Sequence, residues 1–434
     1  MKRRRSQEDP VSLDGLQRRG WPWLAWAIAW LLAGSLLTGE AQASEPTGLP
    51  SPLGLDAALA VARERRAEIT AARARARAAE QEPGIVYPLE DPMIAPTINH
   101  LPFRLHGIDA SVMVEQRLPL SRLRRHRRDA ARATSDRVFA GVSQATLDVE
   151  LAAAAAFFML WERREMADIV DQQLELSVEL IAAAEARYAA AMGPQADVLR
   201  AELEGARLAM QRRVLGAEID AAEAMLRATL GCPPEISVPE LTTWSPPAPA
   251  PSSAVVVAAA SEGRPELKGG RAEIRAAEAD VQAMRSMYAP MAMLRAGPAY
   301  TMTGGMGAML MFGISVPRRH RVRAQVQQAE AMESMARSDL SAMQRMIEGE
   351  AANAHALVRA ANIRVSALRD DVIPRAEQAI SPTIAGYAAG QLPLVSVIEV
   401  ARALWIVQAE LVAAQMDLGV AWAELRRATG KGRS

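Results

Sequence analysis

Two kinds of apolar periodicity run along this chain, and they predict different elements. From Ile108 to Leu118 the pattern alternates. Ile108, Ala110, Val112 and Val114 share one face, with Gln116 interrupting before Leu118, while Asp109, Ser111, Met113, Glu115 and Arg117 share the other. Ala308, Leu310, Phe312, Ile314 and Val316 alternate in the same way with Met309, Met311, Gly313 and Ser315. A period of two predicts strands, close in length to the about 9–11 residues of a tilted membrane strand. Elsewhere the period is helical. Ser121 to Arg187 runs for 67 residues without proline, a reach of about 100 Å at about 1.5 Å per residue. Leu147, Leu151, Phe158, Ile169, Leu176 and Leu180 recur at spacings of 4, 7, 11, 7 and 4, which suits a helix-on-helix seam. A second such stretch runs from Arg318 to about Ile380, interrupted near Pro374.

The two halves follow one plan. Glu68-Ile69, Arg73 and Ala78-Ala79-Glu80 recur 198 residues later as Glu266-Leu267, Arg271 and Ala276-Ala277-Glu278. Pro92-Met93 recurs as Pro290-Met291, and Leu118-Pro119 with its basic run recurs as Val316-Pro317, at the same offset. Tyr188-Ala189-Ala190 with Asp197-Val198-Leu199 recurs as Tyr387-Ala388-Ala389 with Ser396-Val397-Ile398, now offset by 199. Anchors that keep step in this way mark a duplication. The predicted organisation is a signal peptide at 1–43, a first repeat at 44–235, a Pro-rich linker at 236–262, and a second repeat at 263–434 with a short tail. Each repeat holds a helix (Leu53–Gln81, about Arg264–Met287), a β-hairpin (about 84–119, about 288–317) and a long helical hairpin. The helical hairpins turn at Gly193-Pro194 and at Gly390 to Pro393. The join, Pro233 to Ser253, contains seven prolines and reads as an extended connector. The fold class expected is mainly α with a small β part.

Composition narrows the function. Basic residues before an apolar stretch from Trp21 to Leu37, followed by Ala41-Gln42-Ala43, form a secretory signal. The chain carries 50 Lys+Arg against 50 Asp+Glu, a balance that argues against a nucleic-acid partner. A single cysteine, Cys232, excludes an intrachain disulfide framework and a thiolate zinc cluster. GxSxG, GxxxxGK[ST] and zincin signatures are absent, so no enzyme is indicated and no cofactor is expected. The five histidines, among them His100 and His106 in the first hairpin, lack metal-ligand spacing. Past the signal no apolar run reaches the about 20 residues of a spanning helix.

Two hairpins supply four strands, and four strands cannot close. In lipid an open edge leaves backbone groups without partners. Membrane-spanning strands of this kind must therefore be pooled among several chains. Three copies give twelve strands and a water-filled lumen.

These residues resemble the TolC family of outer-membrane efflux proteins. The run Tyr188–Ala201 looks like that family's helix-turn signature, and Tyr387–Val400 looks like its second copy. Leu89-Glu90-Asp91-Pro92-Met93, and Glu115-Gln116-Arg117-Leu118-Pro119 with its basic run, resemble the heavy-metal branch. The resemblance implies a homotrimer with a twelve-stranded barrel in outer-membrane lipid and a helical tunnel across the periplasm. It also implies a periplasmic adaptor and an inner-membrane pump, RND type, as partners, with copper, silver or drugs as cargo. The tip contacts it points to are Gly193, Gln195, Asp197, Gly390, Gln391 and Leu392, with Asp197 and Gln391 at the aperture. Several relatives close that aperture with acidic residues in the second repeat, where this chain has Gly390-Gln391-Leu392-Pro393-Leu394.

Met113, Glu115, Met291, Met293, Met309 and Met311 are the lumen-facing candidates. Thioethers suit soft ions such as Cu(I) and Ag(I); methionine also fills irregular space in either environment. The rival class, an inner-membrane-anchored periplasmic coiled-coil adaptor, accounts for the helices but not for the duplicated alternating hairpins.

Overall fold

The computed structural model describes residues 48–99, 109–246, 252–301 and 304–430. The segment expected as a signal peptide, residues 431–434 and the histidines of the first hairpin, His100 and His106, lie outside them. In chain order the elements are α1 (Leu55–Arg65), α2 (Ala67–Val86), β1 (Met93–Asn99), β2 (Asp109–Pro119), α3 (Leu123–Ala189) and α4 (Gln195–Leu230). The second repeat supplies α5 (Ser253–Gly263), α6 (Pro265–Ser286), β3 (Met291–Thr301), β4 (Gly305–Ser315), α7 (Arg319–Ala367), a π-helical turn (Leu368–Val372), α8 (Ile373–Ala388) and α9 (Leu394–Thr429).

The described chain from Leu49 onward is a wall four elements wide. At one end it is an antiparallel sheet of order β1-β2-β3-β4. Each strand continues into a helix, and those helices pack side by side in the same order, α2 on α3, α3 on α6 and α6 on α7. Farther along, α4 and α9 take over from α2 and α6, packing on α3 and on α7 and α8. The long helices α3 and α7 therefore stitch both levels together. Alanine dominates their contacts. Ala153, Ala154 and Ala156 are buried beside Phe157, Phe158 and Leu160, and small side chains let helix axes approach closely. Trp244, in the connector, packs against the cores of both repeats, edge-on to Phe158 at 5.0 Å and to Trp422 at 6.2 Å.

The duplication extends to backbone angles. Pro194 and Pro393 precede their helices at φ/ψ of −79/150° and −76/155°. Gly231 and Gly430 end α4 and α9 in the left-handed region at φ 69° and 67°. Where one helix, Leu53–Gln81, was expected, the chain breaks into α1 and α2 at Arg66 (φ −68°, ψ 124°), whose guanidinium donates to the Ala228 carbonyl at 2.7 Å. The counterpart break at Arg264 (φ −64°, ψ 124°) precedes Pro265, which disfavours helix at the residue before it.

Two expected boundaries also move. The connector is helical from Ser253, so α5 occupies the end of the segment expected as linker to residue 262. Its Val256 and Ala260 supply the reason, being buried against α7 and α9. The first hairpin begins at Met93 rather than near 84, because α2 runs on through Pro83 to Val86. The interruption expected near Pro374 is the π-helical turn.

Candidate functional site

The sheet sorts its side chains by face. Directly paired residues share a face, so the register places Met93, Glu115, Arg295 and Met311 in one row. Met113 and Met309 flank Gly297 in the next row, and Met293 and Met291 sit beside Arg117 and Pro119. All six lumen candidates from the sequence thus lie on a single face. Glu115 is only 3% exposed and Met113 6%. Burial of that carboxylate is compensated by Arg295, whose Nη2 and Nε reach Oε2 at 2.7 and 2.8 Å, and by Arg117 Nε at 3.5 Å from Oε1. The opposite face carries Ile94, Ile98, Val112, Val114, Leu294, Tyr300, Leu310, Phe312 and Ile314, all exposed, with Leu310 at 74%. A contiguous exposed band of this kind fits lipid rather than water.

Below the sheet, α2, α3, α6 and α7 surround a concavity of about 1300 Å³ lined by Arg75, Gln144, Asp280 and Met332 among others. Burial raises the Asp280 pKa from its ordinary value; the Glu273 charge adds to this and Arg127 opposes it.

At the far end the turns of the two helical hairpins meet. Arg187 of α3 donates through Nη1 to the Tyr387 carbonyl and through Nη2 to the Met192 carbonyl at 3.2 Å, and its guanidinium lies 4.8 Å from the centre of the Tyr387 ring. Tyr387 is buried with Leu180, Ala184, Ala201, Leu394 and Val397. Burial raises its phenol pKa, the nearby Asp197 carboxylate raises it further, and Arg187 opposes them, so the ring stays protonated at physiological pH. A second link lies farther along, where Arg402 of α9 grips both carboxylate oxygens of Glu204 of α4.

The tip candidates divide between surface and seam. Gln195, Gly390, Gln391 and Leu392 are exposed. Gly193 is half-buried, and any Cβ there would touch the Arg187 stem at 3.4 Å. Asp197, expected at the aperture, has a side chain only 14% exposed; it faces Arg200 at 3.7 Å and influences Tyr387. Reading the sequence missed Arg187, Glu204 and Arg402. The available signal for Arg187 was a difference between the copies, since its counterpart one residue before Tyr387 is Gly386.

Cys232 is half-buried, and its Sγ accepts from Arg65 Nη1 at 3.2 Å. Among the described residues no group of three or more His, Cys, Asp or Glu side chains could hold a metal.

Comparison with known proteins places this geometry. Residues 256–431 match the family model for "Outer membrane efflux protein". The outer membrane efflux protein BepC of Brucella suis biovar 1 (strain 1330) is 26% identical over 420 residues, covering 93% of this chain and 90% of that protein. Among solved structures, the outer-membrane channel OprN superposes with a TM-score of 0.75 at 19% identity, covering 87% of this chain and 90% of that one. CusC superposes at 0.74 with 15% identity, covering 87% and 92%. These two likenesses concern fold and do not single out a metal-exporting branch. The match over the second repeat, the relative aligned across both repeats and the shared channel fold make this chain similar to outer membrane efflux proteins.

Proposed function

We propose that three copies of this chain close into one passive conduit, the outer-membrane component of a tripartite efflux system. The observation that carries this reading is the strand order. β1 and β4 are both sheet edges within the chain, and the face they extend is apolar and bare. Pairing β4 of one copy with β1 of the next satisfies both edges, and three such contacts close the ring. The helical walls, which continue the strands one for one, close with them. The exposed tip residues Gln195, Gly390, Gln391 and Leu392 then form the surface offered to a periplasmic adaptor, with an inner-membrane pump, RND type, supplying the energy. Arg187, Tyr387 and Asp197 hold the two hairpins of each copy together behind that surface.

For cargo, the face expected to line the barrel favours soft cations such as Cu(I) or Ag(I). Methionine is concentrated there, while the bare face, Met306 excepted, holds aliphatic and aromatic residues. Replacing Met113, Met293, Met309 and Met311 together by leucine keeps size and apolarity while removing sulfur. Silver tolerance falls if the thioethers guide the cargo; unchanged tolerance assigns the channel to other solutes, such as drugs.

Assembly is tested with Cys232→Ser as background. Thr97→Cys on β1 is combined in turn with cysteines at 306 to 312 on β4. Oxidation in isolated outer membranes should give a trimer as the largest covalent species. Monomers alone at every pair would reject the ring.

A further inference from the structure

Just below the bare apolar face, both second strands pass into helix through arginine. β2 is followed by Arg122, Arg124, Arg125, Arg127 and Arg128, and β4 by Arg318, Arg319, Arg321 and Arg323. Elsewhere on the wall arginines are mostly paired, as in Arg137–Glu273 at 2.7 Å, Arg285–Glu330 at 2.8 Å and Arg337–Glu278 at 2.9 Å. Here Arg128 meets Asp129 at 3.7 Å and Arg127 acts on Asp280. Arg122, Arg125, Arg318, Arg319, Arg321 and Arg323 form no ion pair among the described residues.

Helical phase says which of them face outward. Thr134 on α3, and Gln328 and Met332 on α7, line the inner concavity. Nine residues before each, about two and a half turns of helix and so on the opposite side, stand Arg125, Arg319 and Arg323. All three are exposed. They lie at most about 20 Å from the strand ends, at about 1.5 Å per helical residue and about 3.4 Å per extended residue. Leu120, at 58% exposure, and Val316, at 79%, end the apolar band beside them. Tyr87 and Tyr288, each just before a first strand, are exposed at the same junction, with Arg124 and Arg128 stacked 4.9 and 4.5 Å from the Tyr87 ring. An apolar band, then tyrosines, then unneutralised arginines follows the order of layers in a leaflet: acyl chain, interface, phosphate.

We propose that Arg125, Arg319 and Arg323 form a belt that binds the phosphates of anionic phospholipid in the periplasmic leaflet of the outer membrane. The belt fixes the depth of the barrel and holds the copies at one level. This inference rests on the channel reading, since it requires the sheet to stand in a bilayer. Guanidinium suits the role because it presents several donors to phosphate oxygens and keeps its charge at any physiological pH.

The test uses the full-length oligomer in nanodiscs of dioleoylphosphatidylcholine, with or without 30% dioleoylphosphatidylglycerol (about one lipid in three, so that the leaflet is clearly anionic). The readout is the temperature at which the oligomer dissociates. The anionic lipid should raise that temperature in the wild type. The triple variant Arg125→Gln, Arg319→Gln, Arg323→Gln should lose most of the increment while keeping its conductance in the neutral bilayer. Arg132→Gln, on the same outer face but about 10 Å farther from the membrane, should keep the increment, and inorganic phosphate should not supply it. No increment in the wild type, an increment retained by the triple variant or lost equally in Arg132→Gln, or one supplied by inorganic phosphate would overturn the belt. Failure to enter either nanodisc would overturn the channel reading along with it; insertion without lipid preference overturns the belt alone.

Discussion

At Ala191 the backbone takes a left-handed conformation, φ 54°, at the position where the second repeat uses Gly390, φ 75°. A Cβ in that region costs about 1 kcal/mol, and in this turn Ala191 and Met192 still close their bonds to the Tyr188 and Arg187 carbonyls at 2.9 and 2.8 Å. Ala191→Gly should therefore stabilise the first tip by about 1 kcal/mol or somewhat less, since glycine also gains freedom in the unfolded chain; chemical denaturation of the purified protein measures it. Glu162 gives a pH-dependent case. Burial raises its pKa; Arg163 opposes that shift, while Asp417 and Glu218 add to it. The folded state then holds the proton more tightly than the unfolded one, so stability falls as pH rises from the ordinary carboxylate range through the raised value. Glu162→Gln should raise the unfolding temperature at pH 7, and the gain should vanish near pH 4. A gain independent of pH would mean that packing, not charge, is the cause.

Among elements, the seam between the two helical hairpins at the tip joins a small buried cluster to the contacts of Arg187. Arg187 bonds two carbonyls and covers the Tyr387 ring, joining α3 to the end of α8. Arg187→Ala removes both, a loss of about 1–3 kcal/mol, and should leave the rest of the wall intact because that wall is held by separate clusters. The expected outcome is a higher resting conductance in planar bilayers with unchanged oligomer stability. α8 is the element expected to yield, since a π-helical turn and Pro374 already interrupt its hydrogen-bond ladder while α3 runs unbroken to the tip. Unchanged conductance would place closure elsewhere.

For the molecule as a whole, the pairing of β2 with β3 decides whether two repeats make one wall. Gly297 sits in that pairing so close to β2 that a Cβ would lie 1.9 Å from the Val112 carbonyl oxygen. Gly297→Ala must push the strands apart and should strongly reduce the heat-stable oligomer recovered from the outer membrane, as seen on gels run without boiling. Gly307→Ala, where a Cβ would meet nothing within 4 Å, is the control and should assemble normally.

Much of this architecture was legible in local pattern. Alternation in Ile108–Leu118 and Ala308–Val316 assigned side chains to opposite faces because strand geometry itself repeats every two residues. The 198-residue echo exposed the duplication, and turn chemistry at Pro194 and Pro393 located both tips. Such signals lie between near neighbours, where backbone geometry alone decides who shares a face. What partners those faces meet depends on register between distant segments. That Glu115 finds Arg295, that Arg187 finds Tyr387, that Glu204 finds Arg402, and that Ser253 begins a helix rather than prolonging the connector were decided by tertiary packing. A carboxylate's best cation, or an apolar turn's best cover, is whichever group the assembled wall brings within a few ångströms, and nothing in the spacing along the chain encodes that distance.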